Sequence, residues 1–246
     1  MKNVFALFAL FLCILSTMGC RKNDNPAVNT NNANVMFVNV MTNGNLPFLL
    51  DGHIGDSAIA SARGLGICGY TAYNTIPVAA NAHLSYWVGS NKLVDSIENF
   101  VYNDFYSAFI CGTPSKPKLI VVQDFFNLPA PGYASIRFLN FCPGDLHLDC
   151  YVNNDKVDTM LGYIGSFPFG VYLNSGYAPV NIYDFIQVHA GTAKLIMQNV
   201  ANTAYTAVYD DYQLLDGAQY TAICTDTTAN LLSTGHHLKI TMIHNH

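Results

Sequence analysis

From residue 34 onward the chain is written in short runs where apolar and polar positions alternate, as in Asn34-Val-Met-Phe-Val-Asn-Val40 and Ala134-Ser-Ile-Arg-Phe-Leu-Asn-Phe141. A period of two places successive side chains on opposite faces of a pleated strand, and Gly, Pro, Asn and Asp punctuate the runs at short intervals. The pattern predicts antiparallel strands throughout, closed as a sandwich or barrel. No segment carries a helical period of usable length.

The runs recur in order, so the mature chain reads as a duplicated unit. Phe37-Val38-Asn39 returns as Phe138-Leu139-Asn140, each followed by a short loop containing Gly44 or Pro143-Gly144. Phe48 to Gly52 and Leu148 to Asn154 follow as second strands, with Asp51-Gly52 and Asn153-Asn154 as the expected tight turns, because these residues accept positive φ. Thr75 to Val88 parallels Phe185 to Met197, each with a small-residue turn, at Ala79 to Ala82 and at Ala190 to Ala193. Each copy then closes with a strand ending in cysteine, Phe105 to Cys111 and Gln219 to Cys224, and the last strands are Lys118 to Gln123 and His237 to Ile243. Leu128-Pro-Ala-Pro-Gly132 separates the copies, since two prolines and a glycine cannot continue a central strand. The predicted organisation is 34–127 for the first domain, 128–132 for a linker and 133–246 for the second.

The first 20 residues follow a different rule. Lys2 precedes an unbroken apolar run from Val4 to Leu15, followed by Ser16-Thr17-Met18-Gly19-Cys20. The run is too short to span a bilayer comfortably and fits the apolar region of a signal peptide. Its end resembles the lipobox of bacterial lipoproteins, which implies acylation at Cys20 and anchorage to a membrane without a transmembrane helix. Residues 21–33 hold five Asn and no aromatic residue, a composition expected of a disordered tether.

Composition narrows the function classes. Only 11% of residues are charged, and removal of the leader with Lys2 leaves 10 basic residues against 16 acidic, a net charge of −6. No basic run follows Arg21-Lys22, so a nucleic-acid partner is not expected. Past Cys13 and Cys20 five cysteines remain, Cys68, Cys111, Cys142, Cys150 and Cys224, without a CxxC. Cys142 with Cys150, across a presumed hairpin, is the disulfide pair to test first; buried thiols acting as small apolar side chains are the alternative.

Ile136-Arg-Phe-Leu-Asn140, Tyr151-Val-Asn-Asn154, Val188-His-Ala-Gly191, Tyr220-Thr-Ala-Ile-Cys224 and the stretch Asp124 to Phe138, in that order, resemble the DUF4397 domain. The first copy carries Met36 where that family has Arg. The resemblance covers nearly the whole mature chain. It implies two tandem immunoglobulin-like β-sandwich domains in a secreted lipoprotein of Bacteroidetes-type organisms, at the periplasmic or cell-surface face of the outer membrane. It implies no catalytic residue.

Candidate chemistry is sparse. No nucleophile elbow, HExxH or phosphate loop is present, and the closely spaced glycines of Gly64-Leu-Gly-Ile-Cys-Gly69 read as a mobile hairpin or loop. Single aspartates such as Asp145, Asp149, Asp155, Asp158 and the pair Asp210-Asp211 read as turn and rim residues. His236, His237, His244 and His246 are the best metal candidates, with His244 and His246 two apart on one strand face, though no resident metal or cofactor is expected. The 15 Tyr, 15 Phe and single Trp are the remaining signal. Tyr70, Tyr73, Tyr86 and Trp87 in the first copy, with Tyr205, Tyr209 and Tyr212 in the second, are candidates for stacking on sugar rings or a protein partner. The expected function is a non-enzymatic binding or structural module of the envelope, with a carbohydrate-active surface protein as the alternative.

Overall fold

A computed structural model of the chain describes residues 31–41, 49–78, 81–142, 146–164, 182–226 and 235–245. The leader, Cys20, most of the tether and His246 lie outside the described residues. Asn31 to His246 form one compact unit.

The fold is all-β. The first copy contributes β1 (Asn32–Asn39), β2 (Asp51–Ile54), β3 (Ser57–Ala58), β4 (Asn74–Pro77), β5 (Ala82–Val88), β6 (Asn91–Glu98), β7 (Phe105–Thr113) and β8 (Lys116–Asp124). The second contributes β9 (Tyr133–Asn140), β10 (Leu148–Val152), β11 (Asp155–Leu161), β12 (Ile186–His189), β13 (Gly191–Asn199), β14 (Thr206–Leu214), β15 (Gln219–Asp226) and β16 (Leu238–His244). Each copy is a sandwich of two four-stranded sheets with identical topology: β4-β1-β7-β8 over β3-β2-β5-β6, and β12-β9-β15-β16 over β11-β10-β13-β14.

One pairing departs from the all-antiparallel expectation. β1 runs parallel to β7, and β9 parallel to β15, while the other ladders are antiparallel. Alternation identifies a strand and its buried face, but says nothing of which distant strand completes its ladder.

Three apolar layers show how the copies associate. One fills the first sandwich around Phe37, Leu84 and Ile110, another fills the second around Phe138, Leu195 and Met197. The third lies between the sandwiches, where Met36, Val38, Phe109 and Val122 of the first copy meet Leu139, Phe141, Ile223 and Ile243 of the second. The central sheets pack face to face, so the body has four layers. Burial follows: every residue of β15 is buried, whereas β13 alternates. Strands covered on both faces lose the polar half of their pattern.

The duplicated signatures align in register, with two corrections. Pairing β1 with β7 and β9 with β15 matches Phe105 to Gln219, Tyr106 to Tyr220 and Ile110 to Cys224, so Cys111 is not the counterpart of Cys224. The one-residue offset puts Cys111 in the layer between sandwiches and Cys224 in the second core. Nor is Asp51-Gly52 a turn: both lie in β2, and the hairpin turns at Gly55-Asp56, with Gly55 at φ 59°. Gly52 is needed for space, because a Cβ there would enter the Phe37 ring. The second hairpin turns where the sequence predicts, at Asn153 (φ 52°) and Asn154 (φ 71°).

Candidate functional site

The most developed polar constellation lies between the copies. Arg137 and Asp124, both with side chains 0% exposed, form an ion pair at 2.8 Å between Nη2 and Oδ1. Asp124 Oδ2 accepts from Ser107 Oγ at 2.7 Å and from the Tyr73 hydroxyl at 2.8 Å. Arg137 Nη2 also donates to Thr221 Oγ1 at 2.9 Å, and Nη1 donates to the Ile182 carbonyl at 3.2 Å. Thr221 Oγ1 donates to Asn245 Oδ1 at 2.7 Å, and Asn245 Nδ2 returns to the Tyr73 hydroxyl at 3.1 Å. Asp124, Arg137, Thr221, Asn245 and Tyr73 therefore close a hydrogen-bonded ring. The Arg137 guanidinium lies over the Phe185 ring at 4.7 Å.

A buried charge is tolerated only when paired and fully hydrogen-bonded, which the ring achieves. Burial, and next the Asp124 carboxylate, push the Tyr73 phenol far above its usual range, so Tyr73 stays a neutral donor. These groups are spent on holding two sandwiches in one relative position.

Two hydrogen-bonded devices recur in both copies. Asn39 Nδ2 donates to the Leu65 carbonyl while its Oδ1 accepts from Met41 N–H; Asn140 does the same for Leu146, Leu161 and Cys142. Tyr106 and Tyr220 hydroxyls accept from Val101 and Leu215 N–H, five residues upstream in both cases. The Gly64 to Gly69 segment, expected to be mobile, is pinned: Leu65 exchanges backbone hydrogen bonds with Leu50, and Cys68 N–H donates to the Asn39 carbonyl.

The structure divides the predicted stacking residues. Tyr86 is 0% exposed, its hydroxyl accepting from Val38 N–H at 2.9 Å and donating to the Ala108 carbonyl at 2.6 Å, so it clamps β1 to β7. Tyr73 belongs to the ring. Trp87 is flanked on the outer face of the first copy by stacked His53 at 5.0 Å and by Lys92 at 5.5 Å. Tyr205 stands edge-on to His236 at 4.8 Å. The other three converge: Tyr70 (42% exposed) of the first copy lies within electrostatic reach of Tyr212, and Tyr209 (38% exposed) meets Tyr212 edge-on at 5.2 Å. Burial, with the phenols of Tyr220, Tyr70 and Tyr209, raises the Tyr212 pKa to about 12. Tyr209 and Tyr212 are three apart and would face opposite ways on a regular strand. A bulge at Asp210-Asp211, opposite Lys194 and with Asp211 at φ 55°, restores them to one side.

The histidines and cysteines fall differently from expectation. His237 immediately precedes β16 and His244 ends it, about 23 Å apart at strand spacing, with His244 stacked on Tyr220 at 4.9 Å. Asp226 Oδ2 contacts the His236 ring at 2.6 Å and Oδ1 accepts from His237 N–H at 3.1 Å. Among the described residues no three His, Cys, Asp or Glu side chains converge as a metal site. The structure joins none of the five cysteines past the leader in a disulfide. Cys142 does not pair with Cys150; its Sγ lies 3.5 Å from Cys224 Sγ, because the end of β9 runs beside β15, whereas Cys150 comes from the opposite sheet.

Sequence reading missed the ring, although one signal was visible: Arg137 is the single charged residue of β9, a strand buried along nearly its whole length. Thr221, Asn245 and Ser107 carry no such mark. Comparison of the chain with protein-family models and with curated proteins returns no match.

Proposed function

We propose that the protein is a lipid-anchored envelope module of the DUF4397 kind, attached to the outer membrane through Cys20, which works without catalysis by presenting a rigid preformed surface. The observation that supports this reading is the closed ring of Asp124, Arg137, Thr221, Asn245 and Tyr73 inside an apolar layer, which leaves the two sandwiches no hinge. A surface ordered before binding avoids the entropic cost of ordering at contact.

The anchor is tested by labelling the full chain with palmitate in a host that processes lipoproteins. Label should enter the wild type and be lost from Cys20→Ala; an unlabelled wild type overturns the anchor. The seam of Tyr70, Tyr209 and Tyr212 favours a second reading, glycan recognition, in which aromatic faces stack on sugar rings. Retention on immobilised polysaccharides should then weaken about tenfold in Tyr70→Ala/Tyr209→Ala. Retention unchanged by that variant removes this reading.

A further inference from the structure

We propose that Cys142 and Cys224 are a disulfide site of the second sandwich, closed as the chain folds. Their sulfurs are 3.5 Å apart and both residues are 0% exposed. The backbones are already joined, since Phe141 N–H donates to the Cys224 carbonyl. Cys142 is further held by Asn140, whose Oδ1 accepts its N–H at 2.9 Å and whose Nδ2 binds the Leu146 and Leu161 carbonyls. Only the sulfurs have to approach, by about 1.5 Å to reach a bond of about 2.05 Å, a movement within reach of side-chain rotation.

The first copy shows that the sites do not need thiols for packing. By register the counterparts of Cys142 and Cys224 are Met41 and Ile110, both buried apolar side chains. The pair is thus peculiar to the second copy, where it would tie the exit of β9 to β15, the central parallel pair, across 82 residues of chain. Cys150 is the competing thiol in the same core, but it projects from β10 of the facing sheet.

The chemistry is a two-electron oxidation by thiol–disulfide exchange. The Cys142 thiolate attacks a disulfide-bearing oxidant and expels one of its thiolates; the Cys224 thiolate then attacks the mixed disulfide and expels the other. Two protein protons and two electrons pass to the oxidant, which leaves as two thiols. In the folded protein the contact with Cys224, and next burial, hold the Cys142 thiol protonated and sealed, so the exchange belongs to the folding chain, before β15 is covered. In the cell such an oxidant goes with the extracytoplasmic reading above; the pair itself is tested without it.

The reduced, unfolded full chain is refolded with reduced and oxidised glutathione, unfolded again without reductant, alkylated, and mapped by peptide mass. The expected product has peptides of Cys142 and Cys224 joined, and a melting temperature that falls by roughly 10 °C when reductant is added. Folded protein with both cysteines alkylated, or with either joined to Cys150, overturns the proposal. The variant Cys142→Met/Cys224→Ile, carrying the first copy's residues, should melt at the same temperature with and without reductant; a drop on reduction in that variant also overturns it. Mapping of the wild type stands whether or not the variant folds. The proposal can fail here while the palmitate experiment succeeds, and the reverse.

Discussion

At matched positions the two copies place different side chains, and the differences sort by face. Inside the first sandwich Gly52 on β2 leaves room for Phe37, and Tyr86 on β5 reaches across to hydrogen-bond β1 and β7. Inside the second, the same positions hold Cys150 and Met197 around Phe138. A smallest residue with a long aromatic has been exchanged for two of middle size, and the core tolerates this because total volume is roughly kept. On the faces between the copies the differences are coupled instead. Arg137 in the second copy stands where the first has Met36, and Asp124 in the first stands where the second has Asn245. Ser107 and Thr221 repeat one hydrogen bond, to Asp124 and to Asn245. Of the two ion pairs that perfect internal symmetry would create, one exists and the mirrored positions are neutral. Inner faces can be repacked independently, whereas the facing sheets had to change together.

The sharpest way to break this comparison is Arg137→Met, which gives the second copy the residue of the first. It strands the Asp124 carboxylate in an apolar layer and should cost about 3–5 kcal/mol in urea unfolding. Adding Asp124→Asn, again the residue of the other copy, should recover most of that loss; two costs that simply add would mean the ring does not act as a unit. Next in size is Gly52→Ala, which drives a methyl into the Phe37 ring and should cost about 2–3 kcal/mol, whereas Cys150→Ala at the mirrored site makes no such clash and should cost less. Smallest is Tyr86→Phe. Loss of the hydroxyl removes the clamp between Val38 and Ala108 and should cost about 1–2 kcal/mol by the same measurement. The mirrored Met197→Leu, which removes no hydrogen bond, should cost less than about 1.5 kcal/mol.

How much of this was legible depends on the range of the interaction. Phe37-Val38-Asn39 and Phe138-Leu139-Asn140 were recognisable as repeats because each residue's task is local to the strand: inward, outward, then loop anchor. Asp51-Gly52 misled because glycine serves both turn geometry and close packing, and the chain alone does not separate them. Residue type alone does not separate a core tyrosine, Tyr86, from a ring tyrosine, Tyr73, or from the exposed Tyr70 and Tyr209. Closeness in sequence points Cys142 to Cys150, whereas the fold brings it to Cys224 at the end of a parallel ladder.

The order of apolar and polar residues by itself determined that the chain is all-β and that it is doubled, because these follow from a two-residue period and from turn chemistry recurring in the same order. Tertiary structure alone decided that the copies fuse through their central sheets, that β1 lies parallel to β7, and that Asp124 meets Arg137. Those contacts join residues with no shared local rule, and only the packing of two completed surfaces brings them within bonding distance.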